Sequence, residues 1–267
     1  MRIHLGRIVV FPIKSLDGVA VEKAGITAGG ILENDRTYSI VDAQGKYVNG
    51  KREPRVHRLR CEFDASFREV LVSERGSGSE ARFILAEPGP FNDWLSAYFG
   101  FPVTLNREPE KGFPDDREAF GPTVVSLASL RVVASWFPDL TLEGARRRFR
   151  ANLELDGEGM PPFWEDGLYR GPGECVPFQI GDVEFLAHNP CQRCAVPTRD
   201  PETGEVIPGF QKEFAERRRQ TLPAWANSAR FNHFYRFAVN TSTPESESGK
   251  QLRIGDAVVQ PAGLDAR

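Results

Sequence analysis

The chain has 267 residues, which is enough for one large domain or two small ones. Its composition, 40% hydrophobic and 27% charged, is ordinary for a globular protein, and a net charge of −3 gives no indication of nucleic-acid binding. The sequence contains no apolar run of about 18 residues that could span a membrane, and no signal-peptide core at its start. Four unevenly spread cysteines do not suggest a disulfide framework, so we expect a reducing, cytoplasmic compartment.

Residues 1–105 carry several closely spaced β signals. Residues 3–13 predict a strand, and Leu59, Cys61 and Phe63 alternate with charged residues as in a half-buried strand. Two hairpins are indicated, one around Asp42–Gly45 and one that joins residues 70–73 to 82–85. Short strands at this spacing predict a small barrel or sandwich. The part is closed by a predicted helix with apolar residues at i, i+3, i+4 and i+7: Phe91, Trp94, Leu95 and Tyr98.

A charged, proline-containing stretch over residues 106–121 predicts a linker or long loop. After it, residues 123–126 predict a strand that turns into a helix capped by Ser126 or Ser129. Phe210 and Phe214 begin a second helical pattern, and two turn-then-strand units occupy residues 180–183 and 254–258. The sequence therefore predicts a mainly β fold with short helices (α+β), divided into domains 1–105 and 117–262.

The segment Arg148 to Leu155 has the clearest period-2 pattern in the chain. Phe149 and every second residue after it are apolar, whereas Arg148, Arg150 and Asn152 lie on the opposite face of a strand. The plain interpretation is a solvated outer face. An anionic ligand also suits such a face, because guanidinium groups match phosphate oxygens.

The stretch His188 to Pro201 is the main candidate for chemistry. It follows the apolar run 183–187, which predicts a strand, and it holds Cys191 and Cys194 between two prolines that prevent regular helix. Four interpretations are open: two buried structural cysteines, a Cys-x-x-Cys redox pair, zinc on His188 and both cysteines with Cys61 or Cys175 as fourth ligand, or one thiolate that holds a soft metal or a metal cofactor. Arg193 favours the last, because an adjacent cation lowers the pKa of a thiol.

The run Cys191-Gln192-Arg193-Cys194, followed by Pro197-Thr198, Asp200-Pro201 and Thr203-Gly204, resembles the signature of MOSC domains, the molybdenum cofactor sulfurase C-terminal domains. The branch most similar to this chain contains the mitochondrial amidoxime-reducing component and its bacterial relatives. Further landmarks appear in the same order as in that branch: Phe11-Pro12-Ile13-Lys14-Ser15, Asp35-Arg36, Arg52-Glu53-Pro54-Arg55, Phe149-Arg150-Ala151-Asn152 and Ile254-Gly255-Asp256. The resemblance implies an N-terminal β-barrel domain at 1–105 packed on a MOSC β-barrel domain at 117–262.

The resemblance also implies a site for the molybdenum cofactor, Mo-molybdopterin. Cys194 matches the cysteine that ligates molybdenum in the family and would be both the metal ligand and the catalytic residue. The positions that would bind the pterin and its phosphate are Lys14, Ser15, Arg36, Lys51, Ser126, Arg150, Asn152, Gln192 and Arg193. Under this resemblance the Arg150 and Asn152 face has an anionic partner.

The chain departs from the family pattern at several positions. Lys51 stands where relatives carry an arginine, Ala151 where they carry a proline, and Phe234, beside His233, where they carry a tyrosine. We expect this chain to have neither the membrane anchor nor the ferredoxin domain that some relatives carry. We therefore expect electrons from a separate partner, a ferredoxin-type or flavin-type reductase.

The resemblance implies an oxidoreductase that reduces N-hydroxylated small molecules, without nucleic acid or membrane as partner. Two alternatives stay open: a molybdenum-cofactor carrier or sulfur-transfer protein without reductase turnover, and a zinc-stabilised binding module. A role for His188 or His233 in proton delivery is a weaker hypothesis.

Overall fold

The computed structural model describes residues 1–116 and 118–259, and this part of the chain contains fifteen strands, four α-helices and five short 3-10 helices. The mainly β fold class predicted from the sequence is confirmed. Residues 117 and 260–262, at the two ends of the second predicted domain, lie outside the described residues.

The strands, in chain order, are β1 Ile3–Val10, β2 Val19–Val21, β3 Lys23–Gly25, β4 Tyr38–Asp42, β5 Leu59–Phe63, β6 Glu69–Glu74, β7 Glu80–Ile84, β8 Val103–Arg107, β9 Val124–Ser126, β10 Leu153–Gly157, β11 Val176–Ile180, β12 Val183–Gln192, β13 Arg236–Ser242, β14 Gln251–Arg253 and β15 Val258–Val259. The α-helices are α1 Pro88–Phe99, α2 Leu127–Ser135, α3 Leu142–Phe149 and α4 Phe210–Gln220. The 3-10 helices are Pro54–Arg58, Trp164–Gly167, Val196–Thr198, Ser228–Arg230 and Glu245–Glu247.

One eight-stranded sheet runs through both halves of the sequence, in the order β15-β11-β12-β13-β9-β10-β1-β2. The pair β9–β10 is parallel, and the other neighbours in this sheet are antiparallel. The N-terminal strand β1 pairs with β10 from Ile3 opposite Gly157 to Ile8 opposite Leu153. In addition, β3 pairs with β14 near the C-terminus. Strands from the start of the chain are therefore hydrogen-bonded into the sheet of the later part.

The remaining N-terminal strands build two small sheets around a core of their own. The hairpins predicted from the sequence are present, because β5, β6 and β7 form a three-stranded antiparallel sheet and β4 continues into a turn at Asp42–Gly45. The predicted helix is α1, which buries Phe91, Leu95 and Phe99 in this core. The C-cap of α1 is Gly100, whose φ of 71° is a left-handed conformation that glycine adopts without strain.

The prediction of one strand from Arg148 to Leu155 is wrong. Residues 142–149 are helix α3, Arg150 ends it in a left-handed conformation with φ 51°, and β10 starts only at Leu153. Thr141 caps α3 by accepting a hydrogen bond from the Gly144 backbone at 3.0 Å, and three arginines in the last turn stabilise its C-terminal dipole. The alternating pattern from Arg148 to Leu155 overlaps the last two residues of α3, and over so short a stretch a period of two and a helical period of 3.6 look alike.

The strand before the cysteine pair is longer than predicted. β12 does not stop at Ala187 but continues to Gln192, and its pairing with β13 shifts register between Ala187 and Asn189 and between Pro190 and Gln192. Such bulges allow Pro190 to sit in a strand although it has no N–H to donate. Cys191 is therefore part of a strand, and the loop begins at Arg193.

None of the helices within residues 1–116 and 118–259 has the length and apolar character that a helix needs to cross a membrane.

Candidate functional site

A cavity of about 1530 Å³ lies where the end of β1, the end of α3 and the end of β12 meet. Most of the residues that the resemblance assigned to cofactor binding line it: Lys14, Ser15, Arg36, Lys51, Arg150, Asn152, Gln192, Arg193 and Cys194. These residues come from positions up to 180 apart in the chain, and the fold brings them to one cavity wall. The cavity is strongly basic in a chain whose net charge is −3, and arginines that were not singled out, such as Arg60 and Arg236, also line it.

Lys14 and Ser15 lie in a turn that is separated from the end of β1 by three residues. Ser15 has a left-handed φ of 77°, and Lys14 is buried, with 7% of its surface exposed. The Lys14 ammonium donates hydrogen bonds to the carbonyls of Phe113 at 2.8 Å and Pro114 at 3.2 Å and pairs with Asp115 at 2.8 Å. Burial is the main cause that lowers the pKa of Lys14, assisted by the charge of Arg36 and opposed by Asp115.

Asp115 is a carboxylate placed among four cations of the cavity, Lys14, Arg36, Lys51 and Arg150, which together form the cationic wall. It is 73% exposed by side chain and lines the cavity, where the charges of Arg36, Lys14 and Lys51 act on it. Desolvation by the surrounding cavity acts to raise the pKa of Asp115, but these cations together hold the pKa well below its usual range. Asp115 is therefore ionised at neutral pH and serves as the counter-ion of the wall. The sequence interpretation treated its segment as a linker and missed this role, since only long-range contacts reveal it.

Arg150 lies at the C-terminal end of α3, not on a strand. Its guanidinium donates a hydrogen bond to the Leu16 carbonyl at 2.7 Å and lies 4.1 Å from the centre of the Phe11 ring. Burial lowers the pKa of Arg150 to about 10, and the neighbouring charge of Arg36 adds to the effect. Two guanidinium groups that repel each other at a cavity wall favour an anion between or beside them.

Asn152 stabilises the backbone around the cavity, because both polar atoms of its side chain are hydrogen-bonded. Only 1% of Asn152 is exposed, and its amide donates to the Val9 carbonyl and to the Asp35 carboxylate, both at 3.0 Å. Its side-chain oxygen accepts hydrogen bonds from Thr123, and Asp35 in turn accepts from the Phe11 backbone at 2.8 Å. Asn152 therefore connects β1 to the residues before β9 and to Asp35.

Cys191, near the end of β12, and Cys194, in the loop after it, have different surroundings. Cys191 accepts a hydrogen bond from the Arg193 guanidinium at 3.1 Å, and the same guanidinium donates to the Phe149 carbonyl at 2.6 Å. Cys194 accepts from the backbone of Val196 at 3.5 Å. Both sulfurs are partly exposed and line the cavity. Arg193 thus contacts the first cysteine and ties it to the end of α3.

Arg148 fixes the segment after Cys194 and was not recognised from the sequence as a site residue. The buried Arg148 guanidinium donates to the carbonyls of Pro197 and Arg199, and it pairs with Asp200 at 3.4 Å. Gly204, with φ 77°, packs so closely on the Pro54 carbonyl that a Cβ there would lie 2.6 Å from its oxygen. The loop is therefore held from two sides, by α3 and by the 3-10 helix Pro54–Arg58.

Several predicted residues are placed elsewhere. Ser126 is fully buried and does not line the cavity; its hydroxyl caps α2 by accepting from the Ser129 backbone at 3.1 Å. His188 and His233 do not line the cavity either. Phe234 stacks on Phe231 at 5.7 Å in the core instead of facing the site.

The residues proposed as zinc ligands do not converge. His188 faces Cys175 and Ser242, and Cys61 is buried in the N-terminal core. Among the residues that the structure describes, no group of three or more His, Cys, Asp or Glu side chains is arranged to hold a metal ion. A metal cofactor that takes only one sulfur ligand from the protein does not need a group of three or more such side chains. Its fit is supported by the donor set, a partly exposed thiol beside a wall of cations.

Comparison with known proteins gives matches to two family models and similarities to individual proteins. The chain is 21% identical over 251 residues to a molybdenum cofactor sulfurase of Oryza sativa subsp. japonica, covering 77% of this chain and 29% of that protein. It is 23% identical over 247 residues to a molybdenum cofactor sulfurase of Caenorhabditis briggsae, covering 83% of this chain and 33% of that protein. The chain thus spans about a third of the length of these curated relatives.

Among solved structures, the YUAD protein from Bacillus subtilis matches over 97% of this chain and 94% of its own, with a TM-score of 0.38 and 11% identity. At that score the two structures differ too much for the likeness to carry an argument. The family models match in the order that the sequence predicts: the MOSC N-terminal beta barrel domain over residues 3–89 and the MOSC domain over residues 119–260. Because the two matches cover most of the chain, it belongs to the MOSC family and carries the MOSC N-terminal beta barrel domain before the MOSC domain itself.

Proposed function

We propose that this protein binds the molybdenum cofactor in the cavity and, when loaded, reduces N-hydroxylated small molecules. The observation that carries the proposal is the meeting, in one cavity, of a cationic wall with the partly exposed thiol of Cys194. A pterin phosphate needs the former and a soft metal needs the latter. The names of the two relatives, both molybdenum cofactor sulfurases, support the cofactor class.

Each wall residue has a distinct part in this proposal. Lys14, Arg36 and Arg150 would hold the phosphate, and Lys51, which is exposed at the cavity rim, would add a fourth cation. Asn152 would keep the wall in place through its contacts with Val9 and Asp35. Gln192 and Arg193 directly precede Cys194, whose thiolate would be the protein ligand of molybdenum.

The cofactor, when bound, supplies the two-electron chemistry, whereas the chain supplies binding, orientation and electrostatics. The cavity has a volume of about 1530 Å³, and the exposed Gln192 lines it. A small N–OH compound would enter beside Gln192. Electrons would come from a separate ferredoxin-type or flavin-type reductase. The protein side chains then need only hold the substrate and exclude competing ligands.

A second candidate, cofactor carriage or sulfur transfer without reduction, is favoured by what the relatives are called. One experiment separates the candidates. Protein purified from its own host is analysed for molybdenum and molybdopterin and is then supplied with a chemically reduced dye and a hydroxylamine. Molybdenum with turnover supports the reductase, and molybdenum without turnover supports the carrier. Zinc without molybdenum contradicts both.

A further inference from the structure

A thiol and an imidazole meet outside the cavity, on the antiparallel ladder of β11 and β12. Val176 pairs with Ala187, so the preceding residue Cys175 stands opposite His188. Cys175 is exposed, and its sulfur lies 3.4 Å from Nδ1 and 3.9 Å from Nε2 of the His188 ring. A nucleophile within hydrogen-bond reach of a base is the first requirement of an activated thiol.

The imidazole is oriented by a third residue on the next strand. Ser242 of β13, which is buried, lies 2.7 Å from Nε2 of His188. With the Nε2 proton donated to the Ser242 hydroxyl, Nδ1 is left as the acceptor that faces the Cys175 thiol. The main-chain carbonyl of His188 is also held, because it accepts a hydrogen bond from Arg230 at 3.0 Å. The base therefore has a fixed direction toward the sulfur.

The charge state of the imidazole suits a base. Burial lowers the pKa of His188, which keeps the ring neutral and able to accept a proton at neutral pH. The charges of Asp116 and Glu118 act in the opposite direction and would stabilise an imidazolium once it forms. Cys61 provides the contrast within the same chain: it is buried in the N-terminal core, and that burial raises the pKa of its thiol.

The pair stands beside the cavity wall. Gly173, two residues before Cys175, and Asn189, next to His188, both line the cavity. Asn240 connects Asn189 to the loop that carries Asp115, because its amide donates to Asp116 at 3.2 Å and to the Asn189 side chain at 3.3 Å. A group held on the Cys175 sulfur would thus be at the rim of the cavity and reachable from outside.

We propose that Cys175 accepts sulfane sulfur from a persulfide donor. The His188 ring, which Ser242 orients, activates the Cys175 thiol. The proposal rests on the sulfur-transfer candidate described above and adds the residue that receives the sulfur. The His188 ring removes the thiol proton, and the Cys175 thiolate attacks the outer sulfur of R–S–SH. The bond between the two donor sulfurs breaks as a new S–S bond forms on Cys175. The departing thiolate takes a proton from His188, so R–SH and a Cys175 persulfide are the products, and no further oxidant or reductant enters.

The test uses the cofactor-free full chain and glutathione persulfide as the sulfur donor. After a short exposure, free thiols and persulfides are alkylated, and mass spectrometry locates the peptide that gained one sulfur atom. We expect Cys175 to gain it first and Cys61 not to react. The His188→Gln variant should react at Cys175 at least tenfold more slowly, whereas His233→Gln, which changes a partly buried histidine away from the pair, should match the wild type.

The Ser242→Ala variant gives a second measurement that does not depend on the folding of His188→Gln. It keeps the base and removes its orienting partner, so the rate at Cys175 should fall by a smaller factor. Equal rates in the wild type and both variants, or sulfur uptake at Cys191 or Cys194 in place of Cys175, would overturn the proposal. The molybdenum content of protein from the host tests Cys194 separately. The proposal for sulfur uptake at Cys175 and the proposal for molybdenum binding at Cys194 can therefore fail independently.

Discussion

The Asp115 carboxylate lies 2.8 Å from the Lys14 ammonium, in the position where the cationic wall would receive an anion. The segment that carries it also supplies two carbonyl oxygens, from Phe113 and Pro114, to the same ammonium. A ligand phosphate must therefore compete with a carboxylate of the chain itself. The Asp115 carboxylate thus neutralises the charge of Lys14 within the same chain, and an isosteric substitution of Asp115 would remove this competition.

The substitution Asp115→Asn is expected to strengthen phosphate binding. It removes the internal counter-ion from Lys14 and Arg36 while the shape of the side chain is kept. Because the Asp115 side chain is 73% exposed, its pairing with the buried Lys14 is worth about 1 kcal/mol at most. Inorganic phosphate should therefore bind up to roughly fivefold more tightly. Calorimetric titration of the cofactor-free protein measures the change. Glu118→Gln, on the same loop and also at the cavity, is the control and should change the affinity less. Weaker phosphate binding by Asp115→Asn would contradict a competing role.

The guanidinium of Arg150 is expected to contribute to cofactor occupancy. Arg150→Asn removes it and suits the backbone, because asparagine tolerates the left-handed conformation with φ 51° at this position. Loss of a charge-assisted hydrogen bond costs about 1.5–3 kcal/mol, which lowers the binding constant roughly 10- to 150-fold. Molybdopterin per protein, measured after oxidative release and fluorescence detection, gives the result.

The control for this measurement is Arg82→Asn. Arg82 is 62% exposed on the hairpin β6–β7 and pairs with Glu69 at 3.2 Å. Arg75 is not a suitable control, although its Gly/Ser turn suggested so from the sequence, because it lines the cavity and pairs with Glu202. Equal cofactor content in the Arg150 and Arg82 variants would leave Arg150 as a structural residue that contacts Leu16.

Cys191 and Cys194 should differ when each is changed to serine. Cys194→Ser is expected to lose molybdenum, because a serine oxygen is a harder donor than a thiolate. Cys191→Ser should keep it, since Arg193 remains bonded to the Phe149 carbonyl when the Cys191 sulfur is replaced. Metal analysis of both proteins from the same host decides. A structural zinc site predicts loss of metal and of stability in both variants, and a Cys194→Ser protein that still holds molybdenum would make the ligand assignment wrong.

The stability of the fold should depend on the protonation of Glu165. This residue is 1% exposed and accepts a hydrogen bond from Ser129 at 2.9 Å. Burial, with the neighbouring Asp166 charge, raises its pKa from 4.5 to about 7. A raised carboxyl pKa stabilises the fold fully below the unfolded-state value, and this stabilisation is lost as pH rises from 4.5 through 7, with a slope of up to about 1.4 kcal/mol per pH unit.

The substitution Glu165→Gln should remove this dependence. Urea unfolding between pH 5 and 8 is expected to show a flatter stability profile for the variant, which gains relative to the wild type as pH rises. Glu158→Gln, at an exposed position, should follow the wild-type profile. Parallel profiles for the wild type and Glu165→Gln would show that Glu165 does not titrate in this range.

The sequence predicted those features that depend on local pattern or on short motifs. The strand Leu59–Phe63 and helix α1 follow from period-2 and period-3.6 patterns, and the motif positions Lys14, Arg36, Arg150 and Cys194 line one cavity. It could not show which cysteine Arg193 contacts, because adjacency in sequence leaves the side-chain direction open. Arg148 was placed on a strand because its alternation with Phe149 satisfies both periods over so short a stretch. The roles of Asp115 and the Cys175–His188 pair depend on contacts between distant segments, for which no local pattern exists.

The pairing of β1 with β10 has a consequence for any attempt to recombine this protein with its relatives. Residues 3–89 match one family model, yet the first strand of that region lies between β10 and β2 in the eight-stranded sheet, and β3 pairs with β14 near the C-terminus. A chimaera joined in the linker would therefore contain two pairings between strands of different origin, β1 with β10 and β3 with β14. The foreign strands would have to match the native register and side-chain volume, and β1 would also have to keep the Asn152 contact with Val9. An exchange that starts after Ile26, whose backbone is hydrogen-bonded to Gly249 and Lys250, leaves the pairings of β1 and β3 in place. If it also ends after Arg107, it keeps strand β8 whole.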